Sequence, residues 1–96
     1  MRPSEALASH RSALRQLLER HGLQNPRVYG SALTGKDTED SDLDLLVASA
    51  PGVTLFKLAQ AEEDAHQLTG VRVSVLTLGF LSPKFRDEVL HTAQPL

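Results

Sequence analysis

Asp42 and Asp44 stand two residues apart in Ser41-Asp42-Leu43-Asp44-Leu45-Leu46-Val47, whose leucines and valine read as a β-strand. Side chains two apart on a strand leave the same face, so the two carboxylates are expected side by side at about 6 to 7 Å. At an effective dielectric of about 20 their mutual repulsion is about 2 to 3 kcal/mol, a cost that a bound cation turns into a gain. The chain has no cysteine and four scattered histidines. Its donors are therefore hard oxygens, which suit Mg²⁺ held by one or two carboxylates with water and phosphate completing the shell.

A second element precedes the acidic pair. Gly30-Ser31 follows the short apolar run Val28-Tyr29, where a glycine lets the backbone approach a phosphate and the next N–H groups, with the Ser31 hydroxyl, donate to its oxygens. Gly35 and Lys36 close the same loop and add a second flexible point and a cation. Together the two elements suggest a metal–phosphate site built from Gly30, Ser31, Lys36, Asp42 and Asp44. The plainer alternative for the acidic pair is a solvated strand edge that discourages aggregation.

Gly30-Ser-Ala-Leu-Thr-Gly35-Lys36 matches a P-loop until its last position, but Asp37 stands where that motif needs a Ser or Thr for Mg²⁺. A calcium loop starting at Asp37 fails too, with no glycine at its sixth position and Ala48 where a bidentate Glu belongs.

The elements that must position these residues follow from periodicity. Leu7, Leu14, Leu17 and Leu18 recur at helical spacing over residues 4–21, with Gly22 as a stop. Arg27-Val28-Tyr29 seeds a first strand and Leu43–Val47 a second. Thr54 caps a helix that runs to about Leu68, with Leu55, Leu58, Ala65 and Leu68 on its apolar side and Gly70 at its end. Val71, Val73 and Val75 alternate as a third strand, and Ser82-Pro83 opens a last helix with Phe85, Val89 and Leu90 as its buried stripe. The expected fold is α/β (α+β), a small mixed sheet of three strands packed with about four helices.

The 96 residues allow one domain, expected to span residues 1–96. Apolar residues at 41% and charged residues at 23% fit a globular chain, and no run approaches the 20 or so apolar residues of a membrane span. The opening residues do not read as a secretory signal, so a cytoplasmic location is expected. A formal charge of −2 and 4% aromatics argue against direct nucleic-acid binding.

Val28-Tyr29-Gly30-Ser31, ten residues, then Asp42-Leu43-Asp44-Leu45-Leu46-Val47 resembles the signature of the nucleotidyltransferase superfamily that includes DNA polymerase β and kanamycin nucleotidyltransferase. Over essentially the whole chain, the order of elements is similar to that of the minimal nucleotidyltransferase antitoxins. The resemblance implies transfer of a nucleotide from ATP or another NTP, with Gly30 and Ser31 at the triphosphate and Asp42 and Asp44 on Mg²⁺. It also implies a partner, since such antitoxins are usually paired with HEPN-type RNase toxins and attach AMP to a toxin tyrosine. The short chain agrees with a protein acceptor, because it leaves little wall for a second small-substrate pocket. Assembly as a homo- or hetero-oligomer is left open.

One position departs from the family pattern. Aligning Arg72–Thr77 with the strand that carries the family's third carboxylate places Ser74 where an Asp belongs. Serine is a poor ligand for a hard cation and no general base by itself. The alternative expectation is thus an antitoxin with weak or absent catalysis that neutralises its toxin by binding. Arg27 and Arg72 are further candidates, with Lys36, to reach phosphates, against the simpler reading as solvated charge pairs.

Overall fold

A computed structural model of residues 1–96 shows α1 (Pro3–Arg20), β1 (Arg27–Tyr29), α2 (Ser31–Thr34), β2 (Leu43–Val47), α3 (Leu55–Thr69), β3 (Val73–Thr77), α4 (Pro83–Thr92) and β4 (Gln94–Pro95). A short 3₁₀ turn over Leu78–Phe80 joins β3 to α4. No helix is long and apolar enough to cross a membrane.

The strands form one mixed sheet in the order β3-β2-β1-β4. β1 runs antiparallel to both β2 and β4, and β2 is parallel to β3. The parallel pair is possible because α3 carries the chain back across the sheet, as a parallel connection requires. The expected three strands thus become four. Gln94–Pro95 pairs with Arg27 and Val28, and Leu96 N–H donates to Pro26 O at 3.0 Å. A two-residue edge strand containing proline has no periodicity to read, so only the fold reveals it.

Alternation sorts each strand into two faces. Leu43, Leu45 and Val47 of β2 and Val73 and Val75 of β3 join Val28 in a core closed by Leu14 and Leu18 of α1 and Leu58, Ala61 and Ala65 of α3. Thr54 caps α3 as expected, its hydroxyl accepting from Lys57 N–H at 3.2 Å. Its neighbour Leu55 is exposed, because the helix turns that position away from the sheet.

The opposite face carries Tyr29, Asp44, Leu46, Ser74 and Leu76, and is covered only in part. Leu46 and Val89 are buried yet lie outside the main cluster, marking a smaller apolar contact region by α4. Of the stripe expected on α4, Val89 alone is buried, while Phe85 and Leu90 are 52% and 45% exposed. Pro83 opens α4 as expected, but the Ser82 hydroxyl makes no capping bond. Instead Arg86 ties the helix to the preceding turn, donating to the carbonyls of Leu78, Gly79 and Leu81.

Candidate functional site

The site lies on the open face of the sheet, at the end where β1 finishes and β2 and β3 begin. Pairing sets its composition. Asp44 is opposite Tyr29 in the antiparallel register and opposite Ser74 in the parallel one. The middle strand therefore presents Asp44 between a phenol and a hydroxyl, and Asp42 follows on the same face just ahead of the strand.

Gly30 brings the backbone against Asp44. Its φ of 80° and ψ of −156° fall in a region essentially reserved for glycine. A Cβ built there would lie 2.6 Å from Asp44 Oδ2. Nothing larger than hydrogen fits between the turn and the carboxylate. Ser31 then starts α2, whose first amides have no partner within the helix, and Gly35 ends it in the left-handed conformation with φ 75°. The sequence-predicted Gly30, Ser31 and Asp44 are thus brought together, with Asp42 beside them. Lys36 is exposed in the loop beyond α2, one residue before Asp37.

Burial and the Asp42 charge push the Asp44 carboxyl up to about 6 from its ordinary 3.8. Burial first, and the Asp44 charge second, push the Tyr29 phenol up to about 12. At neutral pH the phenol is a proton donor and not a nucleophile.

Arg72 closes the outer side. Its Nε lies 3.0 Å from Asp42 Oδ1, and its Nη2 donates to the Asp40 carbonyl at 2.6 Å. The solvated charge-pair reading of Arg72 agrees with this geometry. It is an exposed ion pair, but one made with a candidate metal ligand. Arg72 and Asp42 each precede their strand by one residue, and the in-register pairing of β2 with β3, which the sequence does not specify, brings them together. No pair with a site carboxylate is formed by Arg27, which lies further along β1 opposite Leu46.

Asp37 had no sequence signal beyond membership of the acidic loop. It is 5% exposed and accepts from Ser4 N–H, in the first turn of α1, at 2.7 Å. That bond holds its carboxyl below the usual range. The loop leading to Asp42 is thereby pinned to α1, which satisfies a helix-terminal donor. Glu62, Glu63 and Asp64 stay outside the site. Glu62 accepts from Val75 N–H, Glu63 from Gln67, and Asp64 pairs with His21.

Two carboxylates on one face, with no third His, Cys, Asp or Glu beside them, fit a Mg²⁺ ion that takes one or two protein ligands and completes its shell with water and phosphate. The Arg72 guanidinium already stands in for a cation at Asp42. The cradle at Gly30 has the close backbone approach that a phosphate needs.

The sequence and fold were compared with known proteins. The family model "Nucleotidyltransferase domain" matches residues 9–95. The protein adenylyltransferase MntA of Thermococcus cleftensis is 34% identical over 85 residues, covering 88% of this chain and 83% of the relative. A solved structure described as a minimal nucleotidyltransferase superposes with a TM-score of 0.84 at 43% identity, covering 97% of this chain and 95% of that one. A toxin-antitoxin structure with AMP-PNP shares the fold, with a TM-score of 0.74 at 19% identity over 85% of this chain and 68% of the other. By the family match and the near full-length likeness to the minimal nucleotidyltransferase, this chain belongs to the nucleotidyltransferase domain family.

Proposed function

We propose that residues 1–96 act as a single minimal nucleotidyltransferase domain that transfers AMP from ATP to a tyrosine of a cognate HEPN-type RNase toxin, and so serves as its antitoxin. The observation that carries this reading is the contact between Gly30 and Asp44. The backbone turn and the acidic strand meet so closely that a Cβ at position 30 would lie 2.6 Å from Asp44 Oδ2, a closeness that a solvated strand edge would not require. Kinship with an adenylyltransferase, and the shared fold of a toxin-antitoxin protein, support the choice of AMP and of a protein acceptor.

In this reading Gly30 and Ser31 hold the triphosphate, Lys36 approaches it from the loop, and Asp42 and Asp44 are the protein ligands of Mg²⁺. When bound, the ion neutralises charge that develops on the phosphoryl oxygens. The acceptor's phenolic oxygen attacks the α-phosphorus, the new O–P bond forms as the bond to pyrophosphate breaks, and the phenolic proton passes to water. Ser74 offers no basic atom to take it. The chain contributes mainly positioning and a preorganised field. A protein of this kind works in the cytoplasm beside its toxin.

Ser74 and the Arg72–Asp42 pair favour a second reading, an antitoxin that neutralises by binding with little or no transfer. Intact mass measurement of the toxin after incubation with this chain, ATP and Mg²⁺ separates the two. Transfer predicts an AMP-sized gain that disappears with Asp44→Asn. Co-purification and toxin silencing with no mass gain would leave binding alone.

A further inference from the structure

Where two divalent ions assist an in-line displacement, one meets the attacking oxygen and the other the leaving oxygen, and side chains of the site hold both. This face offers only Asp42 and Asp44, with no third His, Cys, Asp or Glu in the group. Ser74, opposite Asp44 in the parallel register, adds a neutral hydroxyl. That donor set suits one ion of the Mg²⁺ kind and is short for two.

A positive charge is nonetheless fixed where a second ion would share Asp42. Arg72 Nε lies 3.0 Å from Asp42 Oδ1. Its Nη2 donates to the Asp40 carbonyl at 2.6 Å, so the guanidinium is held at two points although the side chain is 69% exposed. The backbone is held as well, because the Arg72 carbonyl accepts from Leu43 N–H at 2.8 Å where β3 meets β2. A guanidinium stays charged at any pH the protein meets, and its N–H donors form a planar fork that matches phosphate oxygens. Its Nη1 end has no hydrogen-bond partner within the chain and is available to a substrate. β1 and β3 lie on either side of β2, so the Gly30 turn and Arg72 flank the acidic pair from opposite sides.

We propose that this chain works with a single divalent ion, and that the Arg72 guanidinium takes the place of a second one, holding a positive charge against the phosphoryl oxygens on the Asp42 side. This rests on the nucleotidyl-transfer reading and adds Arg72 to its catalytic residues. It also accounts for transfer by a chain that has Ser74 in place of a third carboxylate.

Native mass spectrometry of the full chain with Mn²⁺ and α,β-methylene-ATP counts the ions held in the nucleotide complex. Wild type is expected to hold one, and so is Ser74→Asp, in which Arg72 keeps its place. Ser74→Asp/Arg72→Ala, with a third carboxylate and no guanidinium, is expected to hold two. Two ions in wild type or in Ser74→Asp, or one in the double variant, overturn the inference. Ser74→Asp/Arg72→Gln repeats the last arm with a longer neutral side chain if the first double variant does not fold. Calorimetry adds the contact with the nucleotide. Arg72→Ala is expected to weaken binding of the Mn²⁺-nucleotide about fivefold and Arg72→Lys by less than about twofold. Unchanged or tighter nucleotide binding in Arg72→Ala overturns the inference too. A wild-type chain that holds neither ion nor nucleotide removes the transfer reading and this inference with it, whereas a second ion in wild type overturns the inference and leaves transfer standing.

Discussion

Arg72 and Asp42 hold each other at 3.0 Å across the beginnings of β2 and β3, and the same guanidinium binds the Asp40 carbonyl. The carboxylate proposed as a metal ligand therefore already has a cation beside it, with which a bound ion would compete. Both side chains are largely exposed, at 69% and 46%, so the pair is worth only about 0.2 to 1 kcal/mol. Arg72→Ala is expected to tighten Mn²⁺ binding by about two- to fivefold, read by electron paramagnetic resonance of free Mn²⁺. Unchanged or weaker binding would show that Arg72 does not compete.

Gly30→Ala tests the turn. A side chain there meets both a forbidden backbone region and the Asp44 oxygen, and the backbone strain alone costs about 1 to 3 kcal/mol. The melting temperature should fall by at least about 4 °C for a domain of this size. Mg-ATP binding should be lost even well below that temperature. Retention of both properties would mean that the close approach is not needed.

Asp44 predicts a pH dependence of the metal-free protein. Its folded value, about 6, lies above the ordinary 3.8, so the fold holds the proton more tightly than the unfolded chain does. Ionisation therefore costs nothing below 3.8, costs progressively more between 3.8 and 6, and costs a constant amount above. Asp44→Asn should be more stable than wild type by about 1 kcal/mol at pH 8 in EDTA, a figure reduced for the solvent contact the carboxyl keeps. The difference should vanish below pH 4. A constant difference across the range would place its origin outside this carboxyl.

Ser74→Asp introduces a third carboxylate directly beside Asp44 in the parallel register. Without metal the variant should be less stable than wild type, because three like charges then share one face. With Mn²⁺ the order should reverse in melting experiments, and affinity should rise about tenfold or more as a ligand is added. An affinity no better than wild type would show that position 74 does not face the ion.

Much of the fold was legible. The apolar periods of α1, α3 and the three longer strands are strong because each buries one face, and Thr54 and Pro83 mark helix starts by local chemistry that needs no tertiary context. The misreadings fall where tertiary packing overrides local pattern. Phe85 and Leu90 have helical spacing, yet of that stripe only Val89 is buried where α4 meets the rest of the fold. Gln94–Pro95 becomes a strand only because β1 has a free edge to pair with.

The sequence by itself determined the acidic pair, the glycine turn and the strand period that puts Asp42 and Asp44 on one face, since these depend on residue type and on spacing along a single element. Tertiary structure alone decided what stands around them. Strand register set Asp44 between Tyr29 and Ser74, and through-space contact tied Arg72 to Asp42 and Asp37 to the start of α1. The raised Asp44 carboxyl has the same origin, because burial and neighbouring charge belong to the assembled sheet and not to any segment of the chain.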